Sequence, residues 1–284
     1  IYGPIGIVMG SVLWTFPHVL VILIAAFSLS DARLYESAQV LKAGRWRIFR
    51  TVTLPGAFYG LISAVMVAFI LVITDFGVPK VIGGNYNVLS TDIYKEVVGQ
   101  QNFSMGAVVS VVLLMPAVAA FLIDRQVKKR QRNAMSSQFV PYVPKNDRWV
   151  DLAALAYCCL IAIATLGIVG MAQYASLVKF WPYNLSLTFD HYQFNVAGVG
   201  WENFFNSLKL ALAVSVFGTT AALIGAYIIE KSKTAPYLRT IAGGFSMIPI
   251  AVPGLVLGLS HLMFINHPDN PLQVLYGGFT ILIA

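Results

Sequence analysis

The chain has 284 residues, 58% of them hydrophobic and only 11% charged, with a mean hydropathy of +0.74. That is more apolar surface than a water-soluble fold of this length can hide, so a bilayer is the expected solvent. The formal net charge of +7 does not indicate nucleic acid, because the basic residues lie between apolar runs and form no stripe with stacking aromatics.

A helix needs about twenty apolar residues to cross about 30 Å of hydrocarbon. Six runs meet that requirement, at about 5–27, 57–73, 106–123, 149–171, 207–229 and 241–265, and a seventh starts near 275. The expected fold class is all-α, a polytopic transmembrane bundle of about seven spans. Cys158 and Cys159 are adjacent within an apolar run, which suits packing better than a disulfide or a metal site. Neither end has the signature of a natural terminus, and a fragment of a longer chain is expected.

Lys and Arg number five in the 28–56 loop, seven at 124–148 and three at 230–240, against three in the intervening loops. This bias puts the basic loops in the cytoplasm and the N-terminus outside. The segment 131–148 contains part of the basic run RQVKKRQR together with Pro141 and Pro144, and reads as a cytoplasmic linker.

The loop at 31–55 is patterned beyond the needs of a connector. Ser30 or Asp31 can cap a helix, and Leu34, Ala38 and Leu41 fall at i, i+4 and i+7. Ile48 and Val52 repeat the four-residue spacing. Gly44 between the two stretches permits a bend, and Pro55 is expected to end the second before the next span. Two short amphipathic helices at the cytoplasmic surface follow. A basic amphipathic segment can also simply rest on anionic lipid.

With Glu36 and Ala38 at its start and Leu54-Pro55 at its end, this loop resembles that of permease subunits of bacterial binding-protein-dependent ABC importers. In that family the pattern is Glu-Ala-Ala, three residues, Gly, about nine residues, then Ile-x-Leu-Pro. Here Ser37 stands for the middle Ala, Lys42 for the Gly and Val52 for the Ile, which predicts a bend displaced or remodelled toward Gly44.

The resemblance implies a type I importer permease in the bacterial inner membrane, with a coupling segment docking on a cytoplasmic ATPase dimer and a periplasmic solute-binding protein delivering cargo. Glu36, Ala38, Leu41, Gly44, Arg45, Trp46, Phe49, Leu54 and Pro55 are the implied coupling residues. It further implies that residues 1–130 end one permease half and 149–284 begin a second, as in fused importers of ferric iron or 2-aminoethylphosphonate. Tyr2-Gly3 recurs as Tyr276-Gly277, which would place a second Glu-x-Ala loop at about position 310.

No Gly-x-x-x-x-Gly-Lys-[Ser/Thr] occurs, so ATP and Mg are expected on the partner, with no cofactor or metal here and no catalysis by this chain. His18, Asp75, Pro249 and Pro253 are candidate pathway residues, and Gly254 with Gly258 reads as a close-packing pair. Gly83-Gly84-Asn85 reads as a turn and the aromatic stretch 180–183 as an interfacial belt. An ion-coupled transporter or a channel is the alternative, but the former calls for ionisable residues in mid-span and none is evident.

Overall fold

The computed structural model describes residues 2–134, 140, 142, 147–193, 200–231, 237, 241–243, 246, 252–267 and 269–275. The chain forms two compact units, Ile1–Pro144 with Ala242–Asn270, and Lys145–Ile241 with Pro271–Ala284.

The first unit opens with α1 (Pro4–Ser28), whose Pro4 sits in the first turn, where its missing N–H costs no hydrogen bond. The loop folds as α2 (Ala32–Val40) and α3 (Arg45–Gly56), the latter widening into a π-turn at Phe49–Thr53. After one residue, Ala57, the chain turns by 63° into α4 (Phe58–Thr74). Two short helices follow, α5 (Gly77–Ile82) and α6 (Leu89–Tyr94), before the long α7 (Phe103–Ala134). The apolar helix α10 (Gly254–Ile265) joins this unit by packing Val256 with Ile93 and Leu113.

Helix α7 runs about ten residues past the span expected at 106–123. Its Lys, Arg and Gln residues are good helix formers and extend a helix already nucleated in the membrane. Gly106, Ser110, Leu113, Ala117, Ala120, Asp124 and Val127 are all buried. Their alternating three- and four-residue spacing makes one continuous seam along α7.

The second unit contains α8 (Arg148–Leu177) and α9 (Trp201–Lys231), neither of which buries a residue. Cys158 and Cys159 are consequently exposed and not packed. The aromatic stretch 180–183 closes an antiparallel hairpin, β1 (Val178–Phe180) and β2 (Asn184–Leu187), with Val178 paired to Leu187.

Among the described residues, four helices are long and apolar enough to cross a membrane: α1, α7, α8 and α9. The bent pair α3–α4 makes a fifth if taken as one span. Among the described residues, therefore, not all of the expected seven spans form long helices. The 57–73 run becomes the 17-residue α4, and α10 has only 12 residues, because Pro253 holds an extended conformation just before it. The seventh run lies outside the described residues beyond Leu275.

Candidate functional site

The loop between α1 and α4 is a braced structure. Asp31 caps α2, its carboxylate accepting from Arg33 N at 3.1 Å. At the other end Ala43 N donates to Ala38 O at 3.0 Å and Lys42 N donates to Gln39 O at 2.9 Å, the paired bonds of a Schellman ending. That ending requires a left-handed residue, and Lys42 supplies it with φ 52°. The turn therefore falls at Lys42, where the resembling pattern has Gly, and is not displaced to Gly44. Gly44 is extended (φ −68°, ψ 158°) at the start of α3, with open space around it.

Which face of α2 turns inward also differs from the expected Leu34, Ala38 and Leu41. Tyr35 and Ala38 are buried, whereas Leu34 and Leu41 are exposed. Tyr35 provides a better inward anchor because both its ring and its hydroxyl find partners. The hydroxyl donates to Thr53 Oγ1 of α3 at 2.9 Å, and the ring stacks on Tyr142 with centroids 3.9 Å apart. Residues 140 and 142 add two backbone bonds, Ala32 N to Val140 O at 2.9 Å and Tyr142 N to Ser30 O at 3.1 Å. Tyr35, Thr53 and Tyr142 were not singled out from the sequence, although Tyr35 and Ala38 share an i, i+3 face that could have shown them.

The outward surface of the loop carries large apolar side chains among its charged residues. Val40, Leu41 and Trp46 are 81%, 80% and 73% exposed, and Trp46 stacks against exposed Phe49 at 5.6 Å. Glu36, Arg45, Leu54 and Pro55 are exposed as well, so of the predicted coupling residues only Ala38 faces inward. Pro55 does not end the helix as expected. It occupies the first turn of a short segment, Leu54–Gly56, and the break comes at buried Ala57. A proline ring is accommodated there because the preceding π-turn already alters the i→i−4 bonding.

Of the pathway candidates, Asp75 borders a cavity of about 380 Å³ also lined by Trp14, Leu71, Thr74, Phe76 and Gly254. Its carboxylate caps α5, accepting from Gly77 N at 3.0 Å and Val78 N at 3.3 Å. His18 is exposed, with its ring 5.3 Å from that of Trp14. Pro253 is buried and precedes α10, and Pro249 lies outside the described residues. Gly254 and Gly258 meet no atom of the described residues within 4 Å of an added Cβ, so among the described residues they mark no close helix contact. Close approach occurs instead at Gly60 of α4, where a Cβ would overlap the Ala26 methyl of α1.

A buried carboxylate lies where α7 continues past its apolar span. Asp124 in α7 is 5% exposed and accepts from Ser63 Oγ of α4, while its other oxygen pairs with Lys128 Nζ at 2.7 Å. The Asp124-Lys128 spacing of i, i+4 was visible in the sequence, but Ser63 lies 61 residues away in an apolar run that carries no signal of a polar partner. No group of three or more metal-ligating side chains exists among the described residues.

Across its whole length the chain is 24% identical to a putative ferric transport system permease protein of Haemophilus influenzae and 23% identical to a ferric transport system permease protein of Actinobacillus pleuropneumoniae. It spans 45% and 42% of those two proteins, less than half of each. A molybdenum transport system permease protein of Azotobacter vinelandii is 40% identical over 28% of this chain and 35% of its own length. No solved structure matches. Residues 1–180 match the family described as binding-protein-dependent transport system inner membrane component. With its apolar spanning helices the chain is a multi-pass protein of the bacterial inner membrane, and it belongs to that family.

Proposed function

We propose that the chain is the permease part of an ATP-driven importer, coupled to a separate ATPase through the loop at 31–55. The observation that carries this reading is the outward apolar surface of Val40, Leu41, Trp46 and Phe49, held on a loop that is internally cross-braced. A helix resting on lipid needs no such bracing, because the bilayer itself orients it. A rigid hydrophobic knob suits a protein cleft, where aromatic anchors dominate binding.

ATP, with Mg, is bound and hydrolysed by the partner ATPase dimer. Closure of that dimer shifts the loop, and the 63° junction at Ala57 passes the shift into α4. A periplasmic binding protein delivers cargo to the outward-facing state. A partner that binds one conformation more tightly than the other is sufficient to drive such a switch.

Ferric iron is the favoured cargo, since the relatives aligned over the whole chain are named for it and the molybdenum permease aligns over little more than a quarter. An ion-coupled transporter is disfavoured by Asp124, whose buried carboxylate is already neutralised by Lys128.

The test is uptake in proteoliposomes holding the full-length permease with its ATPase and binding protein. ATP-dependent ferric uptake that is reduced by Glu36→Ala is expected. Uptake driven by an ion gradient without ATP would overturn the reading.

A further inference from the structure

We infer that Ser63, Asp124 and Lys128 form a polar relay that passes movement of the coupling segment α3 into the spanning helix α7. The inference rests on the permease reading above. It starts from the buried seam of α7, in which Gly106, Ser110, Leu113, Ala117, Ala120 and Val127 are small or apolar and Asp124 alone is ionisable.

The seam does not need a charge for adhesion. Small residues at Gly60, Ser63 and Ala64 of α4 and at Ala117 and Ala120 of α7 are buried and permit close helix approach by themselves. A buried carboxylate is costly to desolvate, and an apolar side chain of similar volume commonly packs at least as stably. What an ion pair with a hydrogen bond supplies is direction. It has one favourable geometry, whereas apolar surfaces slide past each other at little cost.

The position of the relay matches that use. Ser63 lies one and a half turns or so into α4, just after the 63° junction at Ala57 where α3 ends. A tilt of α3 rocks the start of α4 about its close approach to Ala26 of α1 at Gly60, and so displaces Ser63, which lies just beyond that contact. Asp124 accepts the Ser63 hydroxyl with one oxygen and holds Lys128, one turn further along α7, with the other. Displacing Ser63 therefore pulls on α7 at the start of its cytoplasmic extension. Asp124 and Ser63 are positioning residues in this scheme and touch no cargo.

The experiment uses the complete reconstituted importer and reads cargo taken up per ATP hydrolysed. Asp124→Leu, Asp124→Asn, Ser63→Ala and the Ser63→Ala/Asp124→Asn double variant are compared with wild type. A loss of roughly tenfold in uptake per ATP is expected for the Asp124 variants, the order associated with removing a charge-assisted hydrogen bond. The double variant is expected to be no worse than Asp124→Asn, because both changes break one unit.

Wild-type uptake per ATP in Asp124→Asn, or losses that multiply in the double variant, would overturn the relay. Should Asp124→Leu fail to assemble, Asp124→Asn decides alone, since it preserves shape while removing the charge that pairs with Lys128 and strengthens the Ser63 bond. A wild-type complex that couples no ATP hydrolysis to uptake defeats the permease reading and the relay with it. Intact wild-type coupling with unaffected variants defeats the relay only.

Discussion

The Tyr35 hydroxyl donates to Thr53 Oγ1 at 2.9 Å, tying together two helices that flank the left-handed turn at Lys42. The same ring stacks on Tyr142, so one side chain closes the loop and holds it to a second segment. Tyr35→Phe keeps the stack and loses the bond, a change of about 1 kcal/mol. Backbone amides of 32–53 should then exchange with deuterium about fivefold faster in mass spectrometry, and faster still in Tyr35→Ala, which loses both contacts. Equal exchange in all three proteins would show that the side chain does not close the loop.

Lys42 offers a prediction of opposite sign. A residue with a Cβ held at φ 52° is strained by roughly 1–2 kcal/mol, partly offset when Gly replaces it by the greater freedom of Gly in the unfolded chain. Lys42→Gly should therefore stabilise the loop by about 0.5–1 kcal/mol, and Lys42→Val should destabilise it. Thermal unfolding of the detergent-purified chain checks this. A lower midpoint for Lys42→Gly than for wild type would contradict the backbone assignment.

Sequence alone was informative wherever one residue type dictates one local behaviour. Asp31 as a cap and the apolar length of α1, α7, α8 and α9 follow directly from chemistry that acts over a few residues. Sequence favours a bend toward Gly44, the permissive residue, yet the Schellman bonds from Lys42 and Ala43 decide where the left-handed residue must be. The inward face of α2 differs from the sequence expectation for a related reason. Hydrophobic spacing favours Leu34 and Leu41, while Tyr35 is selected by Thr53 and Tyr142, 18 and 107 residues distant in sequence. Long-range partners of this kind, like Ser63 for Asp124, leave no periodic trace.

Two glycines separate packing from conformation. At Gly60 an added methyl meets Ala26 Cβ and approaches its Cα to 3.4 Å, so Gly60→Ala must push α1 and α4 apart at a cost of about 1–3 kcal/mol. At Gly44 the backbone is in a region open to any residue and no atom of the described residues lies within 4 Å of an added Cβ. Gly44→Ala is expected to be neutral or slightly stabilising. Comparing the two in thermal unfolding isolates the helix contact, and equal effects would mean that α1 and α4 do not meet at Gly60.

The exposed surface of the loop can be tested without disturbing its fold. Trp46 and Leu41 make little internal contact beyond the Trp46-Phe49 stack, so truncating them should leave amide protection of the loop near wild type. If the surface docks on an ATPase, Trp46→Ala should weaken that association by about 2 kcal/mol, roughly thirtyfold in Kd. Leu41→Ala, lacking the aromatic anchor, should cost less. Ala38→Ser provides the contrasting case: Ala38 is buried, and a change there should act on loop stability before it acts on binding. Titrating the purified ATPase against the permease in nanodiscs ranks the three. Wild-type affinity in Trp46→Ala would indicate that the apolar knob faces lipid, since a tryptophan at a bilayer surface can be lost without any effect on a protein partner.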